Sequence, residues 1–191
     1  MTARRVPNDP GRRDRIVEAA CELMVRDGLH TLTHRRIAAH AGVPLGSTTY
    51  YFADLDELLL AAVRRAVADG RERLRRWSDA LGPDADADRV CTALAEMSVE
   101  HVTTAAARTV LDYELYVAGL RRESLRAESE AWIGLLRAAL AEHLDAATAD
   151  ALTAAADGVV LQALLSRYPP TVERVEALFR RVVKGPGLMT G

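Results

Sequence analysis

Residues 31–52 read TLTHRRIAAHAGVPLGSTTYYF and predict two short helices with a tight turn between them. Thr33 is a good N-cap for a helix that stops at Ala41-Gly42. Pro44 suits the start of the next helix, because its missing N–H would have no intrahelical partner there. The small residues of the turn let the two helices approach closely, so the pattern is typical of a helix-turn-helix.

The second of these helices is expected to direct Val43 and Phe52 into the core and to expose hydroxylated side chains. Serine and threonine hydroxyls can bond base edges in the major groove of DNA, and tyrosine hydroxyls reach phosphates. Arg35 has the forked geometry that pairs with a guanine edge. The predicted DNA contacts are Thr33, Arg35, Pro44, Leu45, Ser47, Thr48, Thr49, Tyr50 and Tyr51.

The net charge of −2 over 191 residues is unevenly distributed. Residues 1–53 contain eight arginines and five acidic residues, whereas residues 54–191 carry a net charge of −5. We therefore expect a polyanion to bind at the N-terminal end. An arginine-rich arm at Arg4, Arg5, Arg12 and Arg13 could add backbone or minor-groove contacts, and a solvated tail is the alternative.

Apolar residues recur every three or four positions, and runs of β-branched residues are absent, which predicts an all-α fold of about nine helices. The predicted domains are a helix-turn-helix domain at residues 1–53, a long connecting helix at 54–80, and a helical effector-binding and dimerisation domain at 81–191. Later helices are predicted near 86–103, 106–120, 122–144, 148–166 and 171–183.

Several classes of protein are disfavoured by the composition. No segment approaches the roughly 18 to 20 apolar residues of a membrane span. The two cysteines, Cys21 and Cys91, are far apart and indicate neither a disulfide framework nor a zinc cluster. We expect a cytoplasmic protein with no metal, no cofactor and no membrane partner.

The last two predicted helices are strongly apolar. ALTAAADGVVLQALLSRY is apolar around much of its circumference, and a full stripe follows on the final helix at Val172, Val175, Leu178, Phe179 and Val182. Such a pair must bury surface on two sides. A second copy of the chain would provide one of them, forming a four-helix interface across a twofold axis. A well-buried pair in a monomer is the alternative.

Residues 31–60 resemble the DNA-binding domain of the TetR family of bacterial transcriptional regulators. The resemblance is carried by Thr33, Arg35, Ile37-Ala38, Ala41-Gly42-Val43, Gly46 and Tyr50-Tyr51-Phe52. It implies a homodimer that binds a palindromic operator, usually as a repressor, and a small molecule that changes the separation of the two DNA-reading heads. Leu55 departs from the family pattern, in which many members have a phosphate-binding Lys, and Thr49 stands where a Tyr is usual.

The effector site is expected among polar and aromatic residues on the apolar faces of the later helices. Its candidates are Trp77, Met97, His101, Tyr113, Glu114, Tyr116 and Trp132. A mostly apolar cavity with a few polar groups suits a small ligand. The alternative is that each is a core residue with one satisfied hydrogen bond.

Two other functional classes were considered. An all-α enzyme is disfavoured, because His30 and His34 lack the intervening Glu of a metallopeptidase helix and no nucleophile motif occurs. A protein-interaction module built on the apolar C-terminal pair would need no DNA. The sequence therefore favours a DNA-binding regulator that is not an enzyme.

Overall fold

The computed structural model describes residues 11–185, which form an all-α fold as predicted. Nine α-helices lie within this range: α1 (Arg12–Asp27), α2 (His34–His40), α3 (Leu45–Tyr51), α4 (Leu55–Leu81), α5 (Ala87–Val102), α6 (Ala106–Arg121), α7 (Glu123–Leu140), α8 (Ala146–Leu164) and α9 (Val172–Lys184). A single turn of 3₁₀ helix at Leu29–Thr31 joins α1 to α2. The largest difference from the predicted bounds is at α7, which ends four residues early in a turn.

The chain divides into two compact units within α4, between Ala66 and Val67. The first unit contains α1 to α3 and the start of α4, and the second contains the rest of α4 and α5 to α9. The domain boundaries predicted after residues 53 and 80 remain predictions.

In the first unit, α1 packs against α2 and α3. One face of α1, at Ile16, Ala20, Leu23 and Met24, is buried. It forms a core with Ile37, Phe52 and the first apolar residues of α4, Leu58, Leu59, Ala62 and Val63. This core holds the two short helices, which are too short to be stable alone.

The turn after α2 is a Schellman motif. The N–H of Gly42 donates to the carbonyl of Ala39, and the N–H of Val43 donates to the carbonyl of Ala38. Gly42 has φ +63°, the left-handed conformation that such a cap requires. At the start of α2, the predicted cap is confirmed, because the Thr33 hydroxyl accepts from the Arg36 N–H at 3.2 Å.

The acidic start of α4 also caps its helix. The Asp54 carboxylate accepts from the N–H of Glu57 at 2.8 Å, and the Glu57 carboxylate accepts from the N–H of Ala53 at 2.7 Å. This reciprocal arrangement resembles a capping box and fixes where α4 begins.

The second unit is built around α5, which contacts α6, α8 and α9. Its main core comprises Leu81, Val90, Cys91, Leu94, Ala95, Leu140, Ala149, Leu152, Ala156, Val175 and Phe179. Helices α6 and α7 approach closely at Gly119, where an added Cβ would lie 2.4 Å from the Cβ of Ser129. The buried Ser129 hydroxyl donates to the carbonyl of Leu115 at 2.8 Å and ties the two helices together.

Candidate functional site

The exposed face of the helix-turn-helix carries most of the predicted DNA contacts. Thr33, Arg35, Pro44, Leu45, Thr49 and Tyr50 are exposed, and Tyr51 is half-buried. Tyr50 is 78% exposed, and its ring packs edge-on against that of Tyr51 at 5.0 Å between centroids. The buried core positions these side chains on one short, solvent-facing segment.

Ser47 and Thr48 do not lie on that face. Thr48 is 0% exposed, and its hydroxyl donates to the carbonyl of Leu45 at 2.8 Å. Ser47 is 6% exposed. The expectation that both would be presented to solvent was therefore wrong, because Thr48 lies one helical turn before the buried Phe52 and shares its inward face.

The two arginines of α2 have different surroundings. Arg36 donates to the carbonyl of Thr31 at 2.8 Å and forms an ion pair with Asp27 at 2.5 Å, so it fastens α2 to the end of α1. Arg35 is exposed and has no hydrogen bond or ion pair with any residue in the described range. Its guanidinium is therefore available to bind a ligand.

The predicted arginine-rich arm is described only in part, since Arg4 and Arg5 lie outside the described residues. Arg13 is exposed on α1, with its guanidinium 5.0 Å from the centroid of the Phe52 ring. This cation–π contact places a positive charge beside the end of α3.

The second unit contains a cavity of about 930 Å³, enclosed by α4, α5, α6, α7 and α8. Six of the seven candidate effector contacts line it: Trp77, Met97, His101, Tyr113, Tyr116 and Trp132. Glu114 does not, and that expectation was wrong. The cavity-lining residues of α6 recur three and four apart, and Glu114 falls on another face of this helix.

Aromatic rings dominate one wall of the cavity. Tyr113 and Tyr116 pack edge-to-face at 5.5 Å between centroids. Their hydroxyls donate to Asp157 of α8, from Tyr113 to the carbonyl at 2.8 Å and from Tyr116 to the carboxylate at 3.3 Å. Burial raises the pKa of both phenols and of the Asp157 carboxyl, so the tyrosines act as neutral donors.

The position of one tryptophan ring in the cavity wall depends on a glycine of α4. A Cβ added to Gly70 would lie 2.4 Å from the ring of Trp132. Trp132 can occupy this position only because no side chain is present there. Since Trp77 also lines the cavity, both tryptophans of the chain border the same space.

The charged groups of the cavity were missed by the sequence analysis. Asp112 of α6 lines the cavity, and burial raises the pKa of its carboxyl to about 7 although Arg108 and Arg73 act in the opposite direction. Arg108 lies one helical turn before Asp112, and Arg73 projects from α4. Helical spacing from Tyr116 would have placed Arg108 and Asp112 on the same face, but their burial depends on four other helices.

The last two helices retain an exposed apolar surface on the isolated chain. Val175 and Phe179 are buried against the core, whereas Leu161, Leu165, Tyr168 and Leu178 are exposed. Leu165 is 85% exposed and Tyr168 83% exposed. Leu165 and Tyr168 lie at the end of α8 and in the loop after it, and exposed apolar side chains of this size are typical of protein interfaces.

Residues 11–185 show no sign of a membrane span or of a metal site. No helix in this range has both the length and the apolar character needed to cross a membrane. Among the same residues, no group of three or more His, Cys, Asp and Glu side chains is arranged to hold a metal ion.

Among solved structures, the chain is similar to multidrug binding protein EbrR in complex with ethidium, with 41% identity, a TM-score of 0.76, and coverage of 90% of this chain and 98% of that one. It is also similar to SCO7518 from Streptomyces coelicolor A3(2), with 33% identity, a TM-score of 0.78, and coverage of 92% and 100%.

Curated relatives match over a shorter region. The regulator BetI from Stenotrophomonas maltophilia (strain R551-3) is 32% identical over 76 residues, which are 40% of this chain. The matched region spans 39% of the length of that relative.

Two family models match the chain. Residues 16–62 match the model described as bacterial regulatory proteins, tetR family. Residues 85–185 match the model of a tetracyclin repressor-like C-terminal domain, which is more than half of the 191 residues. The chain therefore belongs to the TetR family of DNA-binding transcriptional regulators.

Proposed function

We propose that the chain acts as a homodimeric repressor that binds a palindromic operator and is released from it by a small aromatic effector. The observation that carries this proposal is that α2 and α3 each have a buried face and an exposed face. Their buried residues form a core, and their exposed residues carry hydroxylated side chains and Arg35, which has no partner among residues 11–185.

The proposed DNA interface consists of Arg35, Leu45, Thr49 and Tyr50, flanked by Thr33, Pro44 and Tyr51. The free guanidinium of Arg35 suits a guanine edge, and Leu45 can touch a thymine methyl. Tyr50 and Tyr51 suit phosphates at the end of the helix. We leave Ser47 and Thr48 out of the interface, because their side chains are buried.

The proposed dimer interface is the exposed apolar surface of α8 and α9. Pairing two copies through Leu161, Leu165, Tyr168 and Leu178 would remove this surface from water and form a four-helix interface. A twofold axis presents two copies of α3 to DNA, which requires two inverted half-sites about 34 to 36 Å apart or a multiple of that distance.

The proposed effector is a small molecule with an aromatic ring system. The cavity volume lies near the upper end of the usual range for small-ligand sites, and four aromatic rings border it. The relative EbrR has been solved with ethidium, proflavin and malachite green, all of which are polycyclic or multi-ring aromatic compounds. The aromatic lining of the cavity and the ligands of EbrR both support an aromatic effector.

Helix α4 offers the route by which the effector acts on DNA binding. It begins in the unit that contains the helix-turn-helix, and one face of its C-terminal half, with Gly70, Leu74 and Trp77, lines the cavity. An effector can release DNA only if it binds the released arrangement more tightly. We propose that it does so by displacing the C-terminal half of α4, around Leu74 and Trp77.

Selection of bound duplexes from a random DNA pool tests the proposal. The expected result is an inverted repeat bound by two chains per duplex. Enrichment of a single unrepeated site, or no enrichment, would reject the palindromic homodimer.

A further inference from the structure

The cavity is lined by two arginines whose guanidinium groups are not held in an ion pair by the described residues. Arg73 and Arg108 line it, and neither makes a hydrogen bond or an ion pair with any residue in the described range. Arg108 is the more confined, because its Nε is shielded from solvent and has no acceptor. A shielded N–H donor without an acceptor is costly, so a ligand that supplies an acceptor gains that energy.

The two guanidinium groups lie close enough to influence each other. Burial and the charge of Arg108 lower the pKa of Arg73. His101 of α5 lines the same cavity, and burial lowers its pKa, with a smaller contribution from Arg73. His101 is therefore neutral at pH 7 and above, and its ring can donate one N–H.

The acidic groups near these arginines differ in burial and in ionisation. Asp112 is near both arginines, but its pKa of about 7 means that it is only partly ionised at neutral pH. Asp157 accepts hydrogen bonds from Tyr113 and Tyr116. Glu96 and Glu100 line the cavity at exposed positions, where water screens them. Arg108, the shielded arginine, is near the buried carboxyl of Asp112, whereas Arg73 lies at an exposed position and is also near Asp69.

We propose that Arg73 and Arg108, assisted by His101, form an anion-binding subsite, and that the effector is an aromatic compound with a carboxylate group. The ring system would lie among Trp77, Trp132, Tyr113 and Tyr116, and the carboxylate would accept from the guanidinium groups. Arginine is suited to this role, because its planar fork binds both oxygens of a carboxylate. The inference rests on the proposed function, since it names the chemical class of the effector in that cavity.

The subsite makes effector binding depend on pH. Asp112 is faced by Arg108 from its own helix and by Arg73 from α4, and it lies near Tyr113 and Tyr116. Below about pH 7 its carboxyl is neutral and does not compete with the ligand for the arginines. As the pH rises through 7, its carboxylate competes for them and repels the anion, so affinity for a carboxylate ligand falls.

The test compares 2-naphthoate with its uncharged counterpart 2-naphthalenemethanol and with the cation proflavin. Binding to the full chain is followed by calorimetry and by quenching of tryptophan fluorescence, which reports on this cavity because both tryptophans border it. We expect 2-naphthoate to bind more tightly than 2-naphthalenemethanol. Its affinity should fall severalfold between pH 7 and 8.5, where the ligand stays ionised and His101 stays neutral.

Three variants separate the subsite from general effects on folding. Arg108→Gln should weaken 2-naphthoate at least tenfold and leave 2-naphthalenemethanol unchanged. Asp112→Asn should remove the pH dependence and keep the tighter binding at pH 8.5. Arg76→Gln is the matched control, because it removes an arginine of α4 that does not line the cavity and pairs with Glu72.

The outcomes distinguish the two proposals. If the neutral compound or proflavin binds while 2-naphthoate binds no better and Arg108→Gln has no selective effect, the anion-binding subsite is wrong and the aromatic effector site stands. If no probe of any charge binds, both the aromatic effector and the subsite are rejected. Selective loss of 2-naphthoate in Arg108→Gln supports the subsite.

Discussion

Arg36 binds the carboxylate of Asp27 at 2.5 Å, while its neighbour Arg35 has no partner among the residues described. The two adjacent arginines therefore have separable roles. Arg36→Ala should lower the melting temperature, because it removes the tie between α2 and the end of α1. Arg35→Ala should leave melting unchanged and weaken operator binding about tenfold, the usual effect of losing one bidentate base contact. Thermal unfolding and fluorescence anisotropy on both variants measure the two effects. Equal loss of operator affinity in both, at equal stability, would contradict this division.

Thr48 and Thr49 provide a second adjacent pair with opposite expectations. Thr48 is buried, so Thr48→Ala should lower the free energy of unfolding by about 1 to 2 kcal/mol through lost packing and a lost hydrogen bond. Thr49 is exposed, so Thr49→Ala should change stability little and weaken operator binding. Denaturant unfolding and DNA titration of the two variants give the comparison. If Thr48→Ala is as stable as the unmodified protein but binds DNA more weakly, Thr48 contacts DNA and the assignment is wrong.

Gly70 and Gly134 test whether the cavity wall depends on the missing side chain. Gly70→Ala places a methyl group where the Trp132 ring lies, so we expect the ring to move, tryptophan emission to change and effector affinity to fall. Gly134→Ala meets nothing within 4 Å and should stabilise α7 by about 1 kcal/mol. Emission spectra and melting curves distinguish them. Identical behaviour of the two variants would show that Trp132 does not depend on Gly70.

Leu165 and Leu120 are leucines of nearly equal exposure on different helices. Leu165 belongs to the proposed dimer surface at the end of α8, and Leu120 lies on α6. Leu165→Glu should convert the dimer to monomer at micromolar concentration, because it places a charge in an apolar interface. Leu120→Glu should leave the dimer intact. Analytical ultracentrifugation measures both, and dissociation caused by Leu120→Glu alone would move the interface to α6.

Much of the fold could be predicted from sequence, because the signals are local. Thr33 caps α2 and Asp54 caps α4, as their positions before apolar helical runs indicate. The wrongly predicted site residues are ones whose side chains have suitable chemistry but lie on the wrong face of their helix. Ser47 and Thr48 were selected for their hydroxyls, although the burial of Phe52 implies that Thr48 also faces inwards. Glu114 was selected for its charge, although it lies one position beyond Tyr113 on a helix that turns 100° per residue.

The cavity charges could not be obtained in the same way. Arg108 and Asp112 are ordinary polar residues of an amphipathic helix until four further helices enclose them. Their burial is a property of tertiary packing rather than of sequence spacing. The ion pair of Arg36 likewise depends on tertiary packing, because Asp27 lies at the end of another helix, α1.

The central claim is that two copies of the chain read an inverted repeat through α2 and α3. Fluorescence anisotropy of the selected duplex, titrated at fixed salt beside a scrambled duplex of the same length, tests it most directly. We predict affinity for the selected duplex at least about a thousandfold higher, with saturation at two chains per duplex. Equal affinity for the two duplexes, or saturation at one chain, would contradict the account.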